Sequence, residues 1–593
     1  MRLRLLRLRW HRRLRKGQRQ VEDLSQLTEE GIERHLFKRF SRLAPVRRFV
    51  LGWMGLLILL IAAVLLQTIR LSGYFQKLQP VPGGIYNEGI LGTFTTANPL
   101  YATNDVDSSV ARLMFAGLLT YNEQNQLVGD LASSWQTNST GNVYTVHLKP
   151  GLTWQDGQPL TSADVVFTFQ TIQNPDAKSP LQNSWSGVTI TAPDSQTVVF
   201  ALTDPLASFP YNLTTGIVPK HLLDKILPSD LRSADFNTVN PVGAGPFAWQ
   251  ALQVAGTDPS NAQEQVSLTA FKGYQAGPPK LQAMVVHAYA DQNELERAFK
   301  SRQLDGLEGL NGVPASLRGD KAMQVHSPLL TAANMVFFKT STGVLSDAKV
   351  RQALVQGANV PAIINSLDYS THAVNEPLLT NQLGYNPAYK QAGYNLAAAK
   401  QTLDQDGWTV TAHGPRAKAG QQLKFTLTAA DTPEARQVTK QLQRDWHALG
   451  VNMQLNLLNA DDFQSALTSH QFDAILYGIS IGVDPDVFVY WDSSQADPRS
   501  TNYLNLSAYK NPGVDVAVEG GRTRIDPALR VIKYQPLLQA WSQDNPALGL
   551  YQPRLLYLTN GSVAGLHDHA INTATDRFDN VVNWEIRQAK VTY

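Results

Sequence analysis

Residues 151–169 read Gly-Leu-Thr-Trp-Gln-Asp-Gly-Gln-Pro-Leu-Thr-Ser-Ala-Asp-Val-Val-Phe-Thr-Phe, and their reading decides the fold. The local chemistry predicts a strand ending at Trp154 and a turn at Asp156-Gly157, where glycine supplies a positive φ without a Cβ clash. Thr161 or Ser162 then offers a side-chain oxygen to cap a helix carrying Val165, Val166 and Phe169 on its inner face. Outward from this unit, two hydrophobic periods alternate along the chain. Residues 143–148, 188–190 with 197–201, 266–271 and 284–288 read as strands. Residues 293–300, 348–357, 396–406 and 434–449 read as helices. The class is mixed α/β.

The 593 residues suffice for about four units of about 150 residues each. A hydrophobic content of 43% with 17% charged residues excludes a disordered chain. Cysteine is absent, which excludes disulfides, thiolate zinc sites, a cysteine nucleophile and a lipid-modified N-terminal cysteine. The net charge of +2 conceals a division: residues 1–48 carry 15 Lys/Arg and 5 Asp/Glu, +10, which leaves −8 for the rest.

The division falls at 49–66, a run without charge that continues through 67–69 before Arg70. About 20 residues rising 1.5 Å each cross a hydrocarbon core of about 30 Å. The run has no polar face, which argues against a buried core helix. Arg39, Arg42, Arg47 and Arg48 crowd its N-terminal side, so the positive-inside rule places the N-terminus in the cytoplasm. A cleaved signal peptide fits poorly: its charged region would be 48 residues long, and no A-x-A site follows. The expectation is a basic cytoplasmic leader at 1–48, an uncleaved single-pass anchor in the cell membrane at 49–69 and a linker at 70–83. An extracytoplasmic body would follow. In the leader, Arg2, Arg4, Arg7, Arg9, Arg12 and Arg13 interleave with Leu3, Leu5, Leu6, Leu8 and Trp10. That pattern suits a topology determinant first, then an anionic membrane surface or a nucleic acid. No nucleic-acid partner is expected. A short amphipathic helix is predicted from Thr28, with Ile32, Leu36, Phe40 and Leu43 on one face.

Residues 151–169 also resemble the signature of the family 5 extracellular solute-binding proteins, which serve peptide, nickel and related ABC importers. Trp154, Asp156, Gly157, Pro159, Thr161, Asp164, Val165 and Phe167 fit its pattern. Further landmarks follow that family's order: Phe115–Tyr121, Leu131–Trp135, Pro241–Phe247, Val350–Leu354, Asp484-Pro485-Asp486 and Arg577–Trp584. The resemblance spans about residues 84–593. It implies a periplasmic-binding-protein-like fold of type II, with two α/β lobes closing on a ligand. The first lobe would hold 84–285 plus 551–593, including an extra subdomain, and the second 286–550. It also implies a substrate-binding protein that delivers a peptide or other small solute to ABC permease and ATPase subunits, without a cofactor of its own.

Several rival chemistries are visible. Gly478-Ile479-Ser480-Ile481-Gly482 matches a G-x-S-x-G nucleophile elbow after a strand predicted at 472–477. The helix that motif needs is interrupted by Val483-Asp484-Pro485, so catalysis by Ser480 is the weaker reading. His567-Asp568-His569 lacks a third metal ligand in view. Gly243-Ala244-Gly245 cannot open a dinucleotide-binding helix because Pro246 follows. No phosphate-binding G-x-x-x-x-G-K-[ST] loop is present, so energy for transport would come from partners. A ligand-sensing module that signals through the leader is a further alternative to import.

In peptide-binding members an extended ligand adds a strand along the segment matching Tyr477, Gly478, Ile479, Ser480 and Ile481. There an aspartate three positions before D-P-D pairs with the ligand's amino terminus; here that position is Ile481. The resemblance adds Asp484, Trp491, Asn502 and Tyr503, with Asn98 and Tyr101 from the first lobe, as candidate cleft residues. Trp135, Trp154 and Asp164 are expected to be structural.

Overall fold

The computed structural model describes residues 47–74, 76–255, 263–411, 414–500 and 502–592. The arginine-rich leader and its predicted short helix lie outside them. The chain divides into two compact units, Met1–Gln79 with Gln588–Tyr593, and Pro80–Arg587. In the first, one helix runs over Arg47–Tyr74. Its Arg47–Thr68 stretch has a mean hydropathy of 2.8 and an apolar length that suffices to cross a membrane. The expected linker is partly structured: Gln76–Val81 is a strand, paired with Arg587–Thr592.

The second unit contains two large sheets. The seven-stranded one runs in the order Met323–His326, Tyr557–Asn560, Gly306–Glu308, Ile85–Leu91, Ala283–Tyr289, Gln263–Ala270 and Phe247–Ala255. Its middle three strands are parallel and its flanks antiparallel. Parallel strands need a crossover, and helix Gln292–Lys300 supplies it between Ala283–Tyr289 and Gly306–Glu308, which pair with the two sides of Ile85–Leu91. The seven-stranded sheet therefore takes strands from both sides of residue 285.

The five-stranded sheet runs Asn452–Leu458, Lys424–Ala430, Ala474–Ser480, Ala332–Phe338 and Ala547–Tyr551. Side chains alternate across a strand, and the core divides accordingly. Val336 and Phe338 pack with Trp446 on one face, whereas Ala333, Met335 and Phe337 pack with Trp491 and Trp541 on the other. Each face is thus covered, as α/β sheets require.

The extra subdomain is a four-stranded antiparallel sheet, Ala132–Thr137, Val143–Leu148, Thr197–Ala201 and Thr189–Asp194 in spatial order. Helix Ser162–Gln173 packs against it, with Phe169 stacked on Trp185 at 3.8 Å. The opening segment lies here, with one correction: the strand ends at Leu148, and Trp154 belongs to a tight loop closed by Thr153 and Pro159. Gly157 takes φ +85° in that loop, donating to the Trp154 carbonyl at 2.9 Å. Thr161 precedes the helix, and buried Asp164 accepts from the Thr161 and Lys220 backbone amides at 2.8 and 3.0 Å. These bonds satisfy amides that a helix start and a neighbouring loop would leave orphaned.

Candidate functional site

The chain passes between the two sheets twice. Residues 327–331 lead from Met323–His326 to Ala332–Phe338, and 552–556 lead back from Ala547–Tyr551 to Tyr557–Asn560. The crossings hold each other: the Leu330 amide donates to the Pro553 carbonyl and the Leu555 amide to the Pro328 carbonyl, both at 2.9 Å. Arg554 reinforces them by donating to the Ser327 hydroxyl and to Asp368 of the second lobe.

Strand Ala474–Ser480 starts inside the second sheet and ends beside these crossings. All seven residues pair with Ala332–Phe338 on one side. On the other side, the pairing with Lys424–Ala430 covers only Ala474 and Ile475. Leu476–Ser480 therefore has one ladder, not two, and a strand edge with free N–H and C=O groups can accept another strand. Ser480 is the strand's last residue, and the Ile481 and Gly482 amides both donate to the Thr331 carbonyl at 3.0 Å. The Gln382 amide group bonds the Gly482 carbonyl at 2.7 Å, and the Tyr490 hydroxyl bonds the Ser480 carbonyl at 2.6 Å. Burial pushes the Tyr490 hydroxyl up to about 12, so it is a donor at neutral pH.

Beyond Gly482 the turn carries two carboxylates, and each meets an arginine from the helical hairpin Pro512–Thr523 and Pro527–Asp544. Asp484 and Arg530 form a bidentate pair at 2.6 and 2.7 Å, both nearly excluded from solvent. Burial works against the Arg530 charge, yet the Asp484 bonds outweigh it and raise its pKa. Asp486 meets Arg522 at 3.2 Å and accepts from Ser208 of the first lobe at 3.0 Å. The Ala207 amide donates to the Arg522 carbonyl at 2.9 Å, so a polar bridge joins the lobes at this turn. Tyr121 and Tyr211 of the first lobe stack at 6.3 Å between centroids. Burial pushes both hydroxyls up, and the Asp484 charge adds to the rise.

Two lobes joined by paired crossing strands, with a half-paired strand beside them, form a frame for holding a solute. A family model for bacterial extracellular solute-binding proteins, family 5 (middle region), matches residues 126–500. The chain belongs to this family. The family consists of binding proteins, not enzymes. The oligopeptide-binding protein AppA of Bacillus subtilis is 24% identical over 489 residues, covering 80% of this chain and 87% of AppA. AppA solved in complex with a nonapeptide superposes with a TM-score of 0.66 at 23% identity, covering 86% of this chain and all of AppA. The Listeria monocytogenes substrate-binding protein CtaP gives a TM-score of 0.72 at 22% identity, covering 85% of this chain and 99% of CtaP. Campylobacter jejuni NikZ in complex with Ni(L-His) gives 0.69 at 22% identity, with the same coverage of the two chains. These structures share the periplasmic-binding-protein-like α/β fold with this chain.

The expected site residues disperse. Tyr477 is half-buried against Phe463, while Gly478 and Ser480 are exposed. Ile479 and Ile481 are buried in the second-lobe core, and their main chain faces the Thr331–Phe338 side, where the Ile481 amide bonds the Thr331 carbonyl. Trp491 does not line the cleft: it is fully buried against Phe337 and Trp541, because the helix Phe488–Trp491 turns its indole into the sheet. Asn98 is likewise buried, donating to Asn237 and accepting from the Leu100 amide. Tyr101 is buried with its hydroxyl lacking a partner among the described residues. Asn502 is exposed, and Tyr503 stacks on His470 at 3.7 Å beside a separate hollow that also holds Lys339 and Lys510. Asp484 stands at the turn but is consumed by Arg530.

The rival motifs resolve into structure. Ser480 ends a strand and is followed by loop, so it lacks the elbow's helix. His569 pairs with Asp579 at 2.8 Å and Asp568 with His326 at 2.9 Å. Gly243 and Gly245 press on the Met114 carbonyl, where a Cβ on Gly243 would lie 1.9 Å from the oxygen. Sequence reading missed Arg522, Arg530, Ser208 and Tyr490. The only signal was the D-P-D turn itself, since two buried carboxylates demand nearby cations.

Proposed function

We propose that this chain is a membrane-anchored, extracytoplasmic substrate-binding protein that captures a peptide-like or other small solute between its lobes. It then presents the solute to an ABC permease driven by ATPase subunits. The observation that carries this reading is the single-laddered stretch Leu476–Ser480 beside the lobe crossings. An extended ligand pairing with that edge gains backbone hydrogen bonds that do not depend on its side chains. Gly478 and Ser480 would contribute through their main chain, because Tyr477, Ile479 and Ile481 turn theirs to the opposite edge, toward Thr331 and Ala332–Phe338. AppA, an oligopeptide-binding protein solved with a nonapeptide, supports the peptide-like class. The long apolar helix with Arg47 and Arg48 at its start supports an anchor whose N-terminus stays in the cytoplasm.

Ile481 is apolar, and Asp484 and Asp486 are already paired. The turn thus offers no free carboxylate to a ligand ammonium group, and a desolvated ammonium without a counter-charge is costly. Peptides with a blocked amino terminus should therefore bind at least as well as free ones. Calorimetry on the full chain in detergent micelles, with N-acetylated and free peptides of three to nine residues, tests the reading. Saturable heat with the acetylated series is expected; no binding across all of these peptides would contradict it.

A further inference from the structure

We infer that the hollow beside Tyr503, at the end of the second lobe's central strands away from Ser480, is a second binding site that takes a phosphate-type oxyanion. This goes beyond the solute-binding reading and does not depend on it. The hollow has a volume of about 650 Å³, within the range of small-molecule pockets. Lys339 in its wall follows Phe338, which pairs with Ala474, whereas Ser480 pairs with Ala332 at the other end of the same ladder. Six residue steps of about 3.3 Å put about 20 Å between the hollow and the strand edge.

Charge gives the ligand class. Lys339, Arg351 and Lys510 line the hollow against one carboxylate, Asp544, which leaves +2 on a chain whose residues after 48 carry −8. Burial pushes the His470 imidazole pKa down, so that ring adds no charge at neutral pH. None of the three cations has an ion-pair partner among the described residues. Asp544 accepts instead from the Tyr509 hydroxyl and the Asn511 side-chain amide, both neutral donors. Asp497, whose charge reaches Lys510, is held by Arg499. Arg351 is buried and donates only to main-chain carbonyls, those of Leu345, Ser346, Asp544 and Asn545. Carbonyl dipoles fix its geometry without cancelling its charge, and burial pulls its pKa down. A buried guanidinium without a counter-ion is costly, and an anion in the hollow removes that cost. A phosphate group carries close to two negative charges at neutral pH, which matches the deficit, and lysine and arginine are suited to it.

The wall of the hollow is also strained. His470, Tyr503 and Ala508 take φ of +51°, +47° and +48° without glycine's freedom, three of the eight such residues in the described chain. Each is held in place: Lys339 donates to the His470 carbonyl at 2.9 Å, the Tyr503 amide to the Ser500 hydroxyl at 3.0 Å, and the Thr340 hydroxyl to the Ala508 carbonyl at 3.3 Å. Strain of this kind persists only where the surroundings over-determine it, and it gathers at ligand sites. Tyr503, stacked on His470 at 3.7 Å, adds a flat aromatic surface beside the cations.

The test is titration calorimetry on the full chain in non-ionic detergent at low salt, with inorganic phosphate and, separately, AMP as probes. Phosphate should bind saturably with a Kd of about 1 mM. Lys339→Gln/Lys510→Gln should weaken it about tenfold or more. Lys339 also holds the His470 carbonyl, so Lys510→Glu, at an exposed position, is made as well and should weaken phosphate by a similar factor. An unchanged thermal midpoint without phosphate reports that each variant is folded. The arginine-rich leader is common to all forms, so the difference between them reads the hollow alone. AMP binding more tightly than phosphate points to the phosphoryl group of a larger molecule, and equal affinity to a free anion; either upholds the site. Undiminished binding of both probes to Lys510→Glu, or no saturable binding of either probe to the parent chain, overturns the inference and leaves the peptide titration above untouched.

Discussion

The loop and helix at 151–173 and the strand and turn at 474–491 are both landmarks of the same family, yet they are built on opposite principles. In the first, the conspicuous groups are packed or bonded inside the scaffold, the buried Trp154 indole N–H alone among those named lacking an acceptor among the described residues. Trp154 is fully buried, Asp164 ties two backbone amides, and Asp156 pairs with His221 at 2.7 Å. In the second, a strand keeps an unladdered edge, and two carboxylates are held by arginines from another element. A segment that satisfies itself identifies a scaffold, whereas one that leaves bonds unmade can meet a ligand.

Substitutions can break that contrast, and the largest effect is expected at the buried pair. Arg530→Met strands the Asp484 charge and should cost about 3–5 kcal/mol in chemical denaturation. The Arg530→Met/Asp484→Leu double variant should recover most of that loss, because two apolar groups replace a pair that was expensive to bury. Trp154→Ala should cost a similar 3–5 kcal/mol through lost burial and a cavity, while ligand affinity per folded molecule stays unchanged in calorimetry. An affinity loss there would place the signature segment in contact with ligand and erase the contrast.

The first lobe has its own polar weak point. Burial pushes the Glu308 carboxyl up from 4.5 to about 7, against the opposing pull of Arg577. A raised folded pKa means that the proton is held more tightly in the native state. The stabilisation is full below about pH 4.5 and is lost as pH rises through about 7. The loss should be on the order of 3 kcal/mol, read as a falling denaturation midpoint, and Glu308→Gln should flatten the profile. The smallest effect belongs to the interlobe bridge. Asp486→Ala removes partners of Ser208 and Arg522 at a partly exposed site, and should cost under about 1 kcal/mol. It should nonetheless widen the unliganded body in small-angle scattering, since the bridge joins the lobes.

Local periodicity made most elements legible. The strand at Val143–Leu148 and the helix at Ala348–Gly357 have the bounds their patterns predict, because each alternation matches a single buried face. The place of Gly306–Glu308 in its sheet was not legible, since it is too short to show a period and joins the sheet through a parallel crossover. Trp491 misled because a tryptophan near a cleft reads alike whether its ring faces solvent or core. The arginine partners were hidden for a different reason: Arg522 and Arg530 lie far along the chain from Asp484 and Asp486, and only tertiary packing joins them.

Ligand is expected to add as a strand along Leu476–Ser480. Amide hydrogen exchange on the full chain, with and without saturating N-acetylated nonapeptide, tests it most directly. Slowed exchange within Leu476–Ser480, together with unchanged exchange at 151–160, is the predicted result. Peptide binding that leaves the Leu476–Ser480 amides unprotected would contradict the account.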